Sequence, residues 1–325
     1  MKTLGAVSLF VLVGTLQAWA DGPIDQSFSV KQVHINGLVA QVTFDNAPPG
    51  PIRVMANGKP EVLKRLEVRA IGDEVYVHLA DSPGGDAWFP WNLFNQWSQQ
   101  DRAVDLQMRI SAPLGTPVEI EDMVGRITGG DLDAPLKLDG SSLDVRFGRV
   151  TDARVSIAGA GKIQLGVVQK ALEIEVAGSG KFEAASAQVA RITIAGGGDV
   201  KLGPVATGLT TEVAGSGDVR VASINGPLEV TIAGSGSVYV EGGRATPLKV
   251  EIAGSGDVVH RGEAVDPNVG IYGSGSVKVQ SYSGRLKQEI AGSGSFEVLG
   301  QSQPAHQPPA TSAPPAPPPP PPPPG

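Results

Sequence analysis

The segment VTIAGSGSVYV (residues 230–240) is one of eight copies of a single phrase. The others are VSIAGAGKIQL (155–165), IEVAGSGKFEA (174–184), ITIAGGGDVKL (192–202), TEVAGSGDVRV (211–221), VEIAGSGDVVH (250–260), VGIYGSGSVKV (269–279) and QEIAGSGSFEV (288–298). Their first glycines are Gly159, Gly178, Gly196, Gly215, Gly234, Gly254, Gly273 and Gly292, separated by steps of 19, 18, 19, 19, 20, 19 and 19 residues. Self-similarity at a fixed period of this size marks a stacked array, in which each unit buries its apolar face against its neighbours.

The phrase also specifies the kind of array. Two residues before the first glycine stand Ile157, Val176, Ile194, Val213, Ile232, Ile252, Ile271 and Ile290, and four residues after it Ile163, Phe182, Val200, Val219, Val238, Val258, Val277 and Phe296. Their neighbours are largely polar, a period of two that belongs to strands with one buried face. A leucine six before the glycine (Leu172, Leu209, Leu228, Leu248, Leu286) extends the pattern upstream. The second glycine is present in every copy: Gly161, Gly180, Gly198, Gly217, Gly236, Gly256, Gly275 and Gly294. Glycine there suits a bend with positive φ, or a place where stacked backbones leave no room for a side chain. Serines between the glycines are candidates for local hydrogen bonds at the turn. Each unit reads as strand, glycine corner, strand and variable connector, a circuit of about 60 Å at roughly 3.3 Å per residue. The expected fold is all-β: a right-handed parallel β-helix (β-solenoid) with about 19 residues per coil. Leucine-rich repeats have similar periods, but their asparagine signature and helical connector are missing.

Counting back, nineteen residues before Gly159 is Gly140, in LKLDGSSLDVRF (136–147), and one further step reaches Glu121–Asp122 in VEIEDMVGRITGG (118–130). Regular repeats are therefore expected over 118–300. Residues 21–117 read as irregular N-terminal β rungs or a cap, since FSVKQVHI, AQVTF, IRVMA, LEVRA and EVYVHLA also alternate. Within them, 82–101 break the pattern and hold Trp88, Trp91 and Trp97. That segment is either an aromatic platform for sugars or a partner, or an insertion folded over the solenoid.

Composition bounds the rest. The 325 residues include 43 Gly, 27 Pro and no Cys, with a formal charge of −7. No cysteine means no disulfide, thiolate metal site, cysteine nucleophile or lipidated N-terminal cysteine. The acidic balance argues against nucleic acid as a partner. Residues 1–20 have a basic start, a short apolar run and Ala18-Trp19-Ala20, which reads as a secretory signal peptide. The run is short for a bilayer span, and no later segment is apolar enough to cross a membrane. The expected location is extracytoplasmic, in the periplasm or at the cell surface. Residues 301–325 hold 13 of the prolines and read as a polyproline II tail: a spacer, a ligand for a proline-binding module, or a solubilising end.

Stacking turns each repeat position into a surface column. After the second glycine that column reads Lys162, Lys181, Asp199, Asp218, Ser237, Asp257, Ser276, Ser295. Asp199 and Asp218 are expected on neighbouring rungs about 5 Å apart, a geometry suited to a cation or to acid–base work. The same residues also fit ordinary turn chemistry after glycine. The G-G-x-G-x-D calcium repeat is absent in both period and aspartate content. GxG with no following helix makes no phosphate cradle, and no nucleophile elbow is present. His34, His78 and His306 are scattered, and His260 falls in an inward column held elsewhere by Val221, Val240 and Val279. No cofactor and no metal site are expected.

The repeated VxIAGSGDVxV phrase, after an alternating N-terminal region and a signal peptide, resembles the bacterial GIN head domain family of auto-transporter adhesins, across most of residues 30–300. The resemblance implies a β-helical domain outside the cytoplasm with an adhesive role and no established catalytic residues. An auto-transporter ends in a membrane barrel of tilted strands, whereas this sequence ends in polyproline, so export through a barrel of its own is not expected. The reading that follows is a non-catalytic envelope solenoid, adhesin-like or scaffolding, binding a surface polymer or protein. The competing reading is a carbohydrate-active β-helix hydrolase or lyase using Asp199, Asp218 and the tryptophans. Self-association through the solenoid ends is a third expectation.

Overall fold

Alternating apolar residues become strands that stack rung upon rung. The computed structural model describes residues 23–80 and 106–300; residues 1–20, read as a signal peptide, the tryptophan segment 82–101 and the tail 301–325 lie outside the described residues. The regular part begins with β8 (Val118–Gly129), β9 (Leu136–Phe147) and β10 (Ala153–Gly159). It continues through β11 (Lys162–Gly178), β12 (Lys181–Gly196), β13 (Asp199–Gly215) and β14 (Asp218–Gly234), which bend around the coil without a break. The later rungs are divided among β15 (Ser237–Val240), β16 (Gly243–Gly254), β17 (Asp257–Val265), β18 (Asn268–Gly273), β19 (Ser276–Ser283), β20 (Lys287–Gly292) and β21 (Ser295–Val298). All of these pair in parallel, with Gly159, Gly178, Gly196, Gly215, Gly234, Gly254, Gly273 and Gly292 in one register column. The protein is a parallel β-solenoid of about ten turns, with about 19 residues per turn.

Two sides of the coil flank the glycine corner. Side one carries the strand before it, and side two the strand after it. A third, shorter side closes the circuit and absorbs the variation in repeat length. The 18-residue step is taken up between Val168/Ala171 and Ala187/Val189, and the 20-residue step by Thr246-Pro247 opposite Pro227. Corners therefore stay aligned although the repeat varies.

The core is a set of aliphatic ladders. Ile157, Val176, Ile194, Val213, Ile232, Ile252 and Ile271 stack on one another and are each at most 2% exposed. On side two, Ile163, Phe182, Val200, Val219, Val238, Val258 and Val277 do the same. Leu172, Leu209, Leu228 and Leu248 are buried as expected, but Leu286 in the last rung is only half-buried.

The two corner glycines have different reasons. Gly215 has φ +130°, a conformation that L side chains rarely adopt. Gly217 has no such φ; a Cβ there would lie 2.7 Å from both the Gly198 carbonyl oxygen and the Ile194 Cγ2 of the rung below. Backbone, rather than serine hydroxyls, carries hydrogen bonding through the corner. The Ser216 N–H donates to the Gly196 carbonyl at 2.9 Å, and the Ser235 N–H to Gly215 at 2.8 Å.

One expectation is corrected. Gly140 is not a corner: it pairs with Ile157 and faces the core, and the backbone below Gly159 is Ser141. The coil from β9 to β10 is shorter than the others, since Gly140 pairs with Ile157 and Asp144 with Lys162, and this displaces the phrase there by two residues before the corner.

The N-terminal strands extend the stack in non-sequential order. β2 (Gln32–Asn36) lies parallel to both β8 and β6 (Glu74–Leu79), and β3 (Val39–Ala47) lies parallel to both β8 and β7 (Leu106–Pro113). Antiparallel strands finish this end: β1 (Ile24–Phe28) on β4 (Ile52–Gly58), β4 on β7, and β5 (Leu66–Ile71) on β6. A helical turn, α1 (Pro60–Leu63), buries Leu63 against the terminal strands.

Candidate functional site: the outward face of side one

Because inward positions are packed, recognition chemistry falls to the outward positions of each strand, which the parallel register lines up into columns. Side one carries three. The first runs Arg69, Tyr76, His34, Glu119, Lys137, Arg154, Glu173, Arg191, Thr210, Glu229, Lys249, Asn268, Lys287. Its charges pair largely along the column: Lys137 with Glu119 at 2.6 Å, Arg154 with Glu173 at 3.0 Å, and Lys249 with Glu229 at 2.7 Å.

The second column reads Asp139, Ser156, Glu175, Thr193, Glu212, Thr231, Glu251, Gly270, Glu289. Acid alternates with hydroxyl or glycine on successive rungs, so carboxylates recur every second rung, roughly 9–10 Å apart. Among the described residues, Asp139, Glu175 and Glu212 make no ion pair, whereas Glu251 has Lys249 at 3.7 Å. The field of this column is visible at Asp139. Burial first, then the negative charges of Asp122 and Glu121, push its carboxyl above the usual carboxylate range; Lys137 opposes the rise and Glu175 adds to it. The third column is Ala158, Ala177, Ala195, Ala214, Ala233, Ala253, Tyr272, Ala291, exposed throughout. From Ala158 to Ala253 the side chains are short and, continued by the corner glycines, leave a flat shelf beside the acidic ladder, which the exposed Tyr272 ends.

Toward the N-terminal end the same face gathers residues that sequence spacing scattered. His34 lies between Glu74 (Nδ1–Oε2 3.7 Å) and Glu121 (Nε2–Oε2 3.4 Å). Tyr76 packs between His34 and His78, with ring centroids 4.7 and 4.9 Å apart. Lys137 reaches Glu121 at 2.7 Å, and this hydrogen bond holds the Glu121 carboxyl below its ordinary range. Burial lowers the His78 imidazole. The order β6–β2–β8 assembles this cluster, and no fixed sequence interval announces it. The acid–hydroxyl ladder, by contrast, was readable three residues before each first glycine.

Asp199 and Asp218 do lie in register on side two. Each is next to a cation: Asp199 to Lys181 at 3.2 Å, and Asp218 to Arg220 at 3.1 Å. That arrangement is a surface ladder in which each of the two carboxylates has a cation beside it. Among the described residues no group of three or more His, Asp or Glu is placed to hold a metal ion. His260 sits in the inward column between Val240 and Val279, fully buried, with Nε2 3.2 Å from the Glu263 carbonyl oxygen. Trp88, Trp91 and Trp97 lie outside the described residues. The grooves at the N-terminal end are open and mixed in lining; one of about 480 Å³ is lined by Asp25, Gln41, Thr43, Asn57, Gln107 and Arg109 together with Ile24, Met55 and Met108.

A parallel β-solenoid with polar ladders outside and aliphatic ladders inside defines the class of protein. The chain belongs to the family described as "Putative auto-transporter adhesin, head GIN domain", whose model matches residues 122–224 and 212–303. No curated protein matches the chain. Among solved structures it is similar to a "putative adhesin" from Bacteroides fragilis, at 14% identity and TM-score 0.36, covering 86% of this chain and 97% of that one. A "Putative lipid binding protein" from Parabacteroides distasonis aligns at 13% identity and TM-score 0.32, covering 85% and 96%. A "putative cell adhesion protein" from Clostridium sporogenes aligns at 10% identity and TM-score 0.26, covering 66% and 100%. Among the described residues no helix is long and apolar enough to cross a membrane.

Proposed function

We propose that this adhesin-family solenoid is a non-catalytic binding module outside the cytoplasm that holds a linear envelope polymer along side one. The observation carrying this reading is the acid–hydroxyl ladder beside the alanine shelf. Between Ser156 and Ala253 an extended polymer lying parallel to the solenoid axis meets one carboxylate every two rungs, hydroxyls between them, and a surface of alanine. In a β-1,4-linked glycan alternate sugars are turned over, so equivalent groups on one edge recur once per disaccharide, a spacing close to two rungs. Amines on that edge match the unpaired Glu175 and Glu212, while the sugar faces rest on alanine. Acid–base chemistry has no comparable support, since Asp199 and Asp218 each have a cation beside them.

The test is binding to an immobilised β-1,4 glycan carrying free amines, compared with its N-acetylated form. Affinity is expected for the aminated polymer, falling as salt rises. The triple variant Glu175→Gln, Glu212→Gln, Glu251→Gln should lose at least about tenfold, equivalent to roughly 1.4 kcal/mol. Equal binding by the triple variant, or equal binding of both polymers, would rule this face out.

A further inference from the structure

The two ends of the solenoid are finished differently. At the N-terminal end Ile24, Leu63 and Leu66 are only 9%, 6% and 7% exposed, beneath antiparallel strands and α1. At the C-terminal end no described strand follows the ladder: Ile290 is 37% exposed where Ile271, its partner one rung below, is fully buried. Leu286, Phe296 and Val298 are half-buried, and Leu299 is 46% exposed. β20 pairs with β18 on one side and, among the described residues, with nothing on the other. A free edge of this kind offers a row of backbone donors and acceptors to another strand.

The residues on that edge are complementary to themselves. The segment Leu286-Lys287-Gln288-Glu289-Ile290 reads apolar, basic, amide, acidic, apolar. Two copies running antiparallel about Gln288 place Leu286 opposite the partner's Ile290, Lys287 opposite the partner's Glu289, and Gln288 opposite the partner's Gln288. The backbone agrees with this register. The Lys287 N–H donates inward, to the Pro267 carbonyl at 2.9 Å. Strand alternation therefore turns the N–H and C=O of Gln288 toward the free edge, where a hydrogen-bonded antiparallel pair needs them. In the same register the edge-facing groups of Leu286 meet those of the partner's Ile290. A two-fold axis normal to side one at Gln288 keeps inward faces on the same side, so both the sheet and the apolar ladder continue across the junction.

We propose that the C-terminal end of the solenoid is a self-association surface whose occupant is a second copy of this chain, joined through antiparallel β20–β20 pairing centred on Gln288. Such an interface is isologous, so it closes as a dimer and does not grow into a fibre. It leaves the outward columns of side one unobstructed and makes that face twice as long. It does not depend on what that face binds.

The test is the mass of the full-length chain by sedimentation and light scattering over a concentration series. A concentration-dependent dimer is expected. Lys287→Glu alone sets two carboxylates opposite each other across the junction, and Glu289→Lys alone sets two ammonium groups opposite each other; each should weaken dimerisation at least about tenfold. Mixing the two single variants should restore a heterodimer, which also shows that both are folded. Gln288→Pro removes an edge-facing N–H and should leave a monomer with an unchanged β spectrum. A wild-type chain that stays monomeric to its solubility limit overturns the proposal. So do single charge variants that dimerise like wild type, or a mixture that fails to associate.

Discussion

His260 stands in a column that valine fills on the rungs above and below, with its Nδ1 buried and without a hydrogen-bond partner. Burial holds the imidazole below its ordinary value of 6.5, partly offset by the contact with the Glu263 carbonyl. The folded state thus prefers the neutral ring, and the unfolded chain takes up the proton first. Stability from this residue is complete above pH 6.5 and is lost as pH falls below it toward the folded pKa. His260→Val restores the column and removes an orphaned polar atom. It should raise stability at neutral pH by about 1 kcal/mol and flatten the acid side of a melting-temperature profile. His78, lowered by burial as well, contributes a slope of the same sign. A profile as steep in the variant as in wild type would show that His260 does not titrate against folding. Thr211, fully buried with an unpartnered hydroxyl between Ile192 and Val230, is a second polar intrusion into the ladders.

At the scale of the strand and its corner, the glycines divide into those the stack requires and those it tolerates. Gly217→Ala forces a methyl against the Gly198 carbonyl and Ile194 of the rung below, and neither can retreat without separating two rungs. A loss of about 1–3 kcal/mol in urea denaturation is expected. Gly197 is the control. A Cβ there meets only the Ser216 hydroxyl, at 3.7 Å, and six other copies carry serine at this position, so Gly197→Ser should stay within about 0.5 kcal/mol of wild type. The strand ladders were legible because period-two alternation and a 19-residue step each constrain the same positions, and buried aliphatics satisfy both. Gly140 misled because the coil from β9 to β10 is two residues short of the 19-residue step while the alternation stays intact. The side-one ladder has a period of two repeats, so comparing one copy with the next shows variation where every second copy shows constancy. The cluster of His34, Tyr76, His78 and Glu121 was not legible, because strand order β6–β2–β8 is set by how the N-terminal end folds back.

Across the whole molecule, about ten rungs stack roughly 4.8 Å apart, and each touches only its immediate neighbours. Stability in such an array is a sum of rung and interface terms, so opening proceeds from whichever end has the weakest final interface. The N-terminal end is sealed by α1 and antiparallel strands, while among the described residues β20 and β21 are bonded on one edge and keep exposed ladder residues. Amide hydrogen exchange should therefore be slowest in β12, β13 and β14 and fastest in β20 and β21, with a graded rise between them. The gradient follows from one-dimensional connectivity alone, whereas its concentration dependence reports on the free end. Pairing of β20 with a second copy protects the edge-facing amides of Gln288 and Ile290 as protein concentration rises, and leaves β12–β14 unchanged. In Lys287→Glu the gradient should persist while that added protection disappears. Uniform exchange from end to end would mean that the rungs open as one cooperative unit and that the C-terminal end is no weaker than the rest.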